Sequence, residues 1–221
     1  MINIKNYLIN DFLVLNNIKI LFLNLAKERN IMASIVHQDE TFKNKNYAEK
    51  RIAGRDFDSC HFDNCDFSAG TLSMVDFVNC TFINCNFSNL KWNGVGLKDV
   101  QFINCKLVGV DFSVCNDFLF TVDFKECQLD FATFFQKKLK KTKFEDCILK
   151  ETDFAEVDLT EAVFKNCTLE GAVFEKTNLF KADFRTSTNY SIDPEKNIMK
   201  KAKFAYPGVL GLLNKYDILV D

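Results

Sequence analysis

Proline and histidine are almost missing from this chain, with two of each, and tryptophan occurs once. So little Pro, with only eight Gly in 221 residues, excludes a collagen-like or low-complexity linker composition. The two histidines, His37 and His61, stand far apart and leave no basis for histidine catalysis or a His-rich metal site. A long hydrophobic run is lacking too. The most apolar stretch, Tyr7 to Leu25, is broken by Asn10, Asp11, Asn16, Asn17, Lys19 and Asn24, which is too polar for a membrane span or a signal core. Charge of one sign is not in excess: 28 Lys and Arg face 30 Asp and Glu, and a net charge of −2 gives no general attraction to nucleic acid or to an anionic membrane. No Gly-rich phosphate loop, Cys-x-x-Cys pair or nucleophile elbow is present. These absences predict a chain that is not an enzyme and needs no cofactor or metal.

What the chain does have is 24 Phe and nine Cys. An odd number of cysteines, at spacings unlike a secreted disulfide framework, predicts reduced thiols and a cytoplasmic location. The phenylalanines follow a period of five. Reading every fifth residue from Phe57 gives Phe57, Phe62, Phe67, Leu72, Phe77, Phe82, Phe87, Trp92, Leu97, Phe102, Leu107 and Phe112. Two extra residues around Cys115-Asn116-Asp117-Phe118 break the phase. It resumes at Leu119 and runs through Phe124, Leu129, Phe134, Leu139, Phe144, Leu149, Phe154, Leu159, Phe164, Leu169, Phe174, Leu179 and Phe184. Two residues before each of these, small side chains dominate, including eight of the nine cysteines, with Cys115 in the same slot of the first phase; Gly70, Leu90, Asp117 and Lys137 are among the departures. The positions between are mostly Asp, Asn, Lys, Glu, Ser and Thr.

A period of five fits neither a helix nor a strand. It requires a corner every five residues, with one large and one small side chain turned inward on each side. Four sides close a square coil of twenty residues, so residues twenty apart stack. Leu119, Leu139, Leu159 and Leu179 then form one column and Phe124, Phe144, Phe164 and Phe184 the next, with Phe57, Phe77 and Leu97 earlier in the first. The cysteines read as small buried hydrophobes in the inward slot.

Segments such as Ala182-Asp183-Phe184, Val157-Asp158-Leu159 and Val122-Asp123-Phe124 match an A(D/N)LXX consensus. On them the chain resembles the pentapeptide-repeat family over about residues 52–204. The resemblance implies an all-β fold, a right-handed quadrilateral β-helix, with a short C-terminal helix. Four regions are expected: an irregular N-terminal extension over 1–31, a capping coil over 32–55, the β-helix over 56–204, and a C-terminal helix and strand over 205–221. Either Met32 is the true initiator, or residues 1–31 are a loose helix covering the N-terminal end.

The C-terminal segment, opened by Pro207, places Val209, Leu210, Leu212, Leu213, Tyr216 and Ile218 at helical spacing. It resembles the segment through which quinolone-resistance (Qnr-type) members pair head to head, which implies a homodimer through this end. The same resemblance implies a protein partner, a type II topoisomerase, bound by imitating duplex DNA and so shielded from quinolones or toxins. Asp111, Asp123, Asp153, Asp158 and Asp183 are the candidate acidic surface. The bland reading is that these aspartates are solvated or bond local backbone at corners. From Asp56 onward acidic residues outnumber basic ones by 25 to 19, a lean that suits mimicry. Lys137, Lys138, Lys140, Lys141 and Lys143 form a basic patch that a phosphate mimic would not want. A structural scaffold for an unrelated partner is the alternative, and it would show mixed charge or an apolar strip.

Overall fold

The computed structural model describes residues 34–219, in a compact unit that starts at Val36. The expected extension over 1–31 and the question of Met32 lie outside the described residues, as does Val220 of the expected final strand.

The conformation that makes the coil is a left-handed residue two positions after nearly every large inward side chain. Ser59, Asn64, Ala69, Met74, Asn79, Asn84 and Asn89 all have φ between +52° and +57°, and the pattern continues to Lys181 at +58°. Each such residue turns the chain into the next side. At some corners the amide three residues after an inward position donates to its carbonyl, as Gly70 does to Phe67 at 3.2 Å and Ala182 to Leu179 at 3.0 Å. Asn tolerates this region better than most residues, which accounts for its recurrence at 64, 79, 84, 89, 104 and 166.

Corners at fixed intervals put identical sides over one another as parallel ladders. Strands β1 (Ile35–Gln38), β3 (Arg51–Asp58), β5 (Thr71–Val78) and β8 (Gly96–Ile103) follow each other in the sheet, and β2 (Thr41–Lys43), β4 (His61–Asp63) and β6 (Thr81–Ile83) return to β8. Strand β7 (Lys91–Asn93) pairs with β5. The twenty-residue register is explicit: Phe42 pairs with Phe62, Phe62 with Phe82 and Phe82 with Phe102. Across the insertion Phe102 pairs with Phe124 on β9 (Phe120–Lys125). The register then returns to twenty through β10 (Lys143–Glu145) and β11 (Val163–Lys165), supplemented by single bridges such as Asp153 to Val173.

Stacking of like on like fills the interior. One column is phenylalanine throughout, with ring centroids 4.8 Å apart for Phe42 and Phe62, 4.9 Å for Phe144 and Phe164, and 4.5 Å for Phe164 and Phe184. On the opposite side Phe134, Phe154 and Phe174 stack in turn and meet the first column edge-on, Phe144 to Phe154 at 5.8 Å and 84°. Offset and edge-to-face contacts are the favoured aromatic geometries. Phe57, Phe77, Leu97, Leu139, Leu159 and Leu179 are all buried in a third column.

At the insertion the ladder behind this column is irregular. The register partner of Leu97 is Phe120, with an irregularity before Val100 meets Val122. The insertion ends in a 3₁₀ turn, Asp117–Leu119, so the phase is regained at Val122 and Phe124, and Phe120 packs against the core.

Both ends are more regular than the residues indicate. Thr41, Phe42 and Lys43 keep register with His61, Phe62 and Asp63, and the inward slots of this first coil, Glu40, Lys45 and Lys50, are exposed because the stack ends there. Residues 185–201 continue the ladder, Thr188 on Thr168 and Ile198 on Asn178, with Tyr190 and Ile192 as core residues in place of the usual Phe and Leu. The expected C-terminal helix is two 3₁₀ segments, Gly208–Leu212 and Asn214–Tyr216, and Ile218 and Leu219 form no strand. The Ile192 amide donates to the Gly211 carbonyl at 3.2 Å, and a side chain at Gly211 would collide with the Tyr190 carbonyl.

Phe144→Ala removes a ring stacked on both neighbours from the middle of the core. A loss of about 3–5 kcal/mol in urea unfolding is expected; a loss below about 1 kcal/mol would contradict the packing described.

Candidate interaction surfaces

Two side chains in five point inward, so three in five make the outer surface, and the chemistry there depends on what each rung sets beside the next. The five aspartates singled out from the sequence do not form a face. Asp111 and Asp153 lie on one side of the coil, Asp158 on the next, Asp123 and Asp183 on a third. Their neighbours on adjacent rungs are not acidic: Thr133 lies between Asp111 and Asp153, Lys138 and Asn178 flank Asp158, Val163 and Lys203 flank Asp183, and Gln101 precedes Asp123.

Most of these carboxylates are bonded to their own corners. The amide of Ser113 donates to Asp111 at 2.8 Å, Ala155 to Asp153 at 2.8 Å, Thr160 to Asp158 at 3.1 Å and Arg185 to Asp183 at 3.2 Å. This is the i to i+2 side-chain turn that Asp supports locally. Asp123 differs in accepting from the Lys143 amide of the next coil at 2.8 Å. The hydrogen bond from Arg185 holds Asp183 below the usual carboxylate range. Burial pushes Asp158 up, but Thr160 and Lys140 outweigh it and leave its carboxyl below that range.

Lysines answer several carboxylates across rungs. Lys165 reaches Glu145 at 2.6 Å, Lys181 reaches Glu161 at 2.7 Å, Lys140 reaches Asp158 at 3.2 Å and Lys150 reaches Glu170 at 3.4 Å. In the first half amides do the same work: Asn64 donates to Asn44 and Asn104 to Asn84, each at 2.7 Å. The second half of the outside is a mixed-charge surface with opposite charges set beside one another from rung to rung, whereas in the first half Asp56 stacks on Asp76, whose carboxyl is raised by burial and by that neighbour.

The insertion is built differently. Asn116 donates its amide to the Val95 carbonyl at 2.9 Å and accepts from the Phe118 amide at 3.1 Å through its side chain. Lys137 occupies an inward slot and is 2% exposed. Its ammonium donates to the Cys115 carbonyl at 2.6 Å and to the Asp117 carboxylate, and lies 5.3 Å from the centre of the Phe120 ring. The departures at Asp117 and Lys137 thus answer one another. Their twenty-residue spacing was the available signal, and it was masked by the break in phase.

The nine cysteines are buried and unpaired. Sequence reasoning missed why the small slot takes Cys, Thr and Ser as well as Ala and Val. Cys80 donates its thiol to the Phe57 carbonyl at 3.4 Å, and Thr177 and Ser187 donate hydroxyls to the equivalent carbonyls of Phe154 and Phe164 at 2.8 and 2.7 Å. Burial pushes the Cys80 thiol up to about 12 and raises Cys115 as well. His61 is an exposed outward residue, and His37 stacks on Phe57 at 4.9 Å. No group of three or more His, Cys, Asp or Glu able to hold a metal occurs among the described residues.

At the C-terminal end Lys215 clamps Asp193 and Glu195, each at 2.7 Å, and Tyr216 donates to Glu195 at 3.1 Å. Of the apolar residues expected to pair subunits, Leu212 packs against the core and Leu210 is half-buried. Val209, Leu213, Tyr216 and Ile218 are exposed, Ile218 by 55%.

Models of the pentapeptide repeat region match residues 55–134 and 75–154, and models of pentapeptide repeats in eight copies match 138–175 and 158–185. None of the curated proteins compared matches the chain. Among solved structures, a trypsin-treated form of QnrB1, a plasmid-mediated fluoroquinolone resistance protein, is 21% identical with a TM-score of 0.39, covering 84% of this chain and all of its own. HetL from the cyanobacterium Nostoc sp. strain PCC 7120, a pentapeptide repeat protein involved in heterocyst differentiation regulation, is 14% identical with a TM-score of 0.45, covering 86% of this chain and 96% of its own. A pentapeptide repeat protein of the Arabidopsis thaliana thylakoid lumen is 25% identical with a TM-score of 0.35, covering 47% of this chain and 72% of its own.

Two outcomes follow from this geometry. Iodoacetamide at pH 8 should label the thiols only as fast as the chain unfolds; rapid labelling of the native protein would contradict their burial. Lys137→Ala should cost roughly 1–3 kcal/mol, since it strips a buried carbonyl of its donor, and should speed chymotryptic cleavage after Phe118. Unchanged stability and cleavage would show that Lys137 does not hold the loop.

Proposed function

We propose that this chain, which belongs to the pentapeptide-repeat family, is a non-enzymatic scaffold that binds a protein partner on the outside of its coils and pairs with a second copy through its C-terminal end. The observation that supports this best is the mixed-charge surface. Carboxylates bonded to their own corners and answered by lysines on the next rung leave no continuous anionic path, whereas a partner reading local side chains needs none. The exposed apolar residues from Val209 to Leu219, the last of them 97% exposed, are more than a free end tolerates and favour pairing there. Nine unpaired thiols favour a reducing, cytoplasmic setting. No described helix is long and apolar enough to cross a membrane.

A second reading is the Qnr-like one, in which the partner is DNA gyrase or topoisomerase IV and the chain stands in for duplex DNA. The acidic excess of 25 over 19 from Asp56 onward favours it. Duplex mimicry requires carboxylates at a repeating spacing along one face, and the five aspartates are divided among three sides.

Supercoiling by gyrase in ciprofloxacin, with and without a molar excess of the purified chain, separates the two readings. The scaffold reading expects no rescue. Rescue that is lost in Asp153→Lys/Asp158→Lys would establish the topoisomerase reading in its place. For the assembly, Leu213→Glu/Ile218→Glu should convert a dimer to a monomer in sedimentation equilibrium without changing thermal unfolding of the coils. A wild-type chain that sediments as a monomer at micromolar concentration would remove the dimer.

A further inference from the structure

In a chain whose phenylalanines fill its core, three within one short stretch face solvent: Phe118 is 91% exposed, Phe131 54% and Phe135 40%. The equivalents of Phe131 on neighbouring coils are Asn89, Gly109, Glu151 and Gly171, and those of Phe135 are Asn93, Ser113, Ala155 and Glu175. The aromatic character is confined to one level of the solenoid. Phe131 also occupies a left-handed corner, φ +59°, which bulky side chains disfavour. It spends stability there without burying its ring.

Phe118 is not on a loose loop. Its amide is capped by Asn116, Asn116 is bonded to Val95, and the preceding Asp117 is held by the buried Lys137. An exposed aromatic on a fixed backbone loses little conformational freedom when it is covered, which is the character of an interface anchor. Lys138, Lys140, Lys141 and Lys143 follow around the same coil, all exposed. Lys140 and Lys141 lie 3.2 and 4.0 Å from Asp158 and Glu161, while Lys138 and Lys143 have no ion-pair partner among the described residues.

We propose that this belt, from Phe118 through Phe131 and Phe135 to Lys143, docks an extended protein segment that carries apolar side chains together with carboxylates. The proposal rests on the scaffold reading and names where the partner sits and what it presents. Aromatic anchors take the apolar side chains, and the unpaired lysines select acidic neighbours. Aromatics beside lysines also suit single-stranded nucleic acid. That occupant is disfavoured because the repeat region carries an acidic excess and the patch is one coil deep, too short to follow a phosphate backbone.

The test is selection of random twelve-residue peptides displayed on phage against the immobilised full chain. Enriched peptides should combine Asp or Glu with Phe, Leu or Ile. As synthetic peptides they should bind at least tenfold more weakly to Phe118→Ser/Phe131→Ser/Phe135→Ser and to Lys138→Glu/Lys143→Glu. Both variants change exposed residues and should keep the wild-type unfolding temperature. Peptides that bind the wild type and the triple serine variant equally would overturn this site and leave the scaffold reading standing. Enrichment of Lys and Arg, or displacement of the peptides by a dT16 oligonucleotide, would overturn the assigned chemistry. A failure to enrich any peptide would count against both the site and the scaffold reading.

Discussion

At nearly every corner of the coil one residue in five takes a left-handed backbone, and the rest of the molecule depends on that turn. At each corner it turns the chain, brings the next side over its predecessor at the ~4.8 Å spacing of neighbouring strands, and sends the same two side chains inward. The cost is real for residues such as Phe131, Lys141 and Lys181, which have no preference for φ near +60°. It is offset by a packed interior, in which Phe144 meets its copies twenty residues away and an edge from the column on the opposite side. Because every rung repeats the last, two extra residues have to leave the ladder before the register can resume at Val122. The insertion at 115–118 shifts the Leu97 partner to Phe120 and brings a lysine into an inward slot to hold the loop.

Much of this was legible in the residues. A period of five in Phe and Leu has few physical solutions, and stacking at twenty follows from a square coil, as Phe144 on Phe124 and Phe164 shows. The left-handed corners were not read, although Asn at 64, 79, 84, 89 and 104 was a trace of them. The pattern also faded before the backbone did. Arg185 to Lys201 lose the consensus, yet Tyr190 and Ile192 fill the same space, since packing asks for volume and not for a particular letter. Counting in fives cannot see where a loop rejoins the ladder, and there the backbone partner of Leu97 is Phe120.

The surface was harder to read, for a physical reason. Sequence counts charges, but a solenoid decides which charge lies beside which, twenty residues away. Asp158 looks like one acidic residue in a column until Lys138 and Asn178 appear on either side of it and Lys140 at 3.2 Å. The acidic excess is real as a total and is dispersed as a field. What stands out against that background is the coil at the insertion, where three phenylalanines are exposed close in sequence to Lys138 and Lys143, which have no ion-pair partner among the described residues.

The central claim is that the outer surface recognises side chains locally and does not imitate the anionic backbone of a nucleic acid. Competition measures this directly: gyrase is bound to a fluorescent duplex and titrated with the purified chain while anisotropy is followed. The account predicts that the duplex stays bound at a large excess of protein. Displacement of the duplex with the steep salt dependence of a polyanion competitor would contradict it.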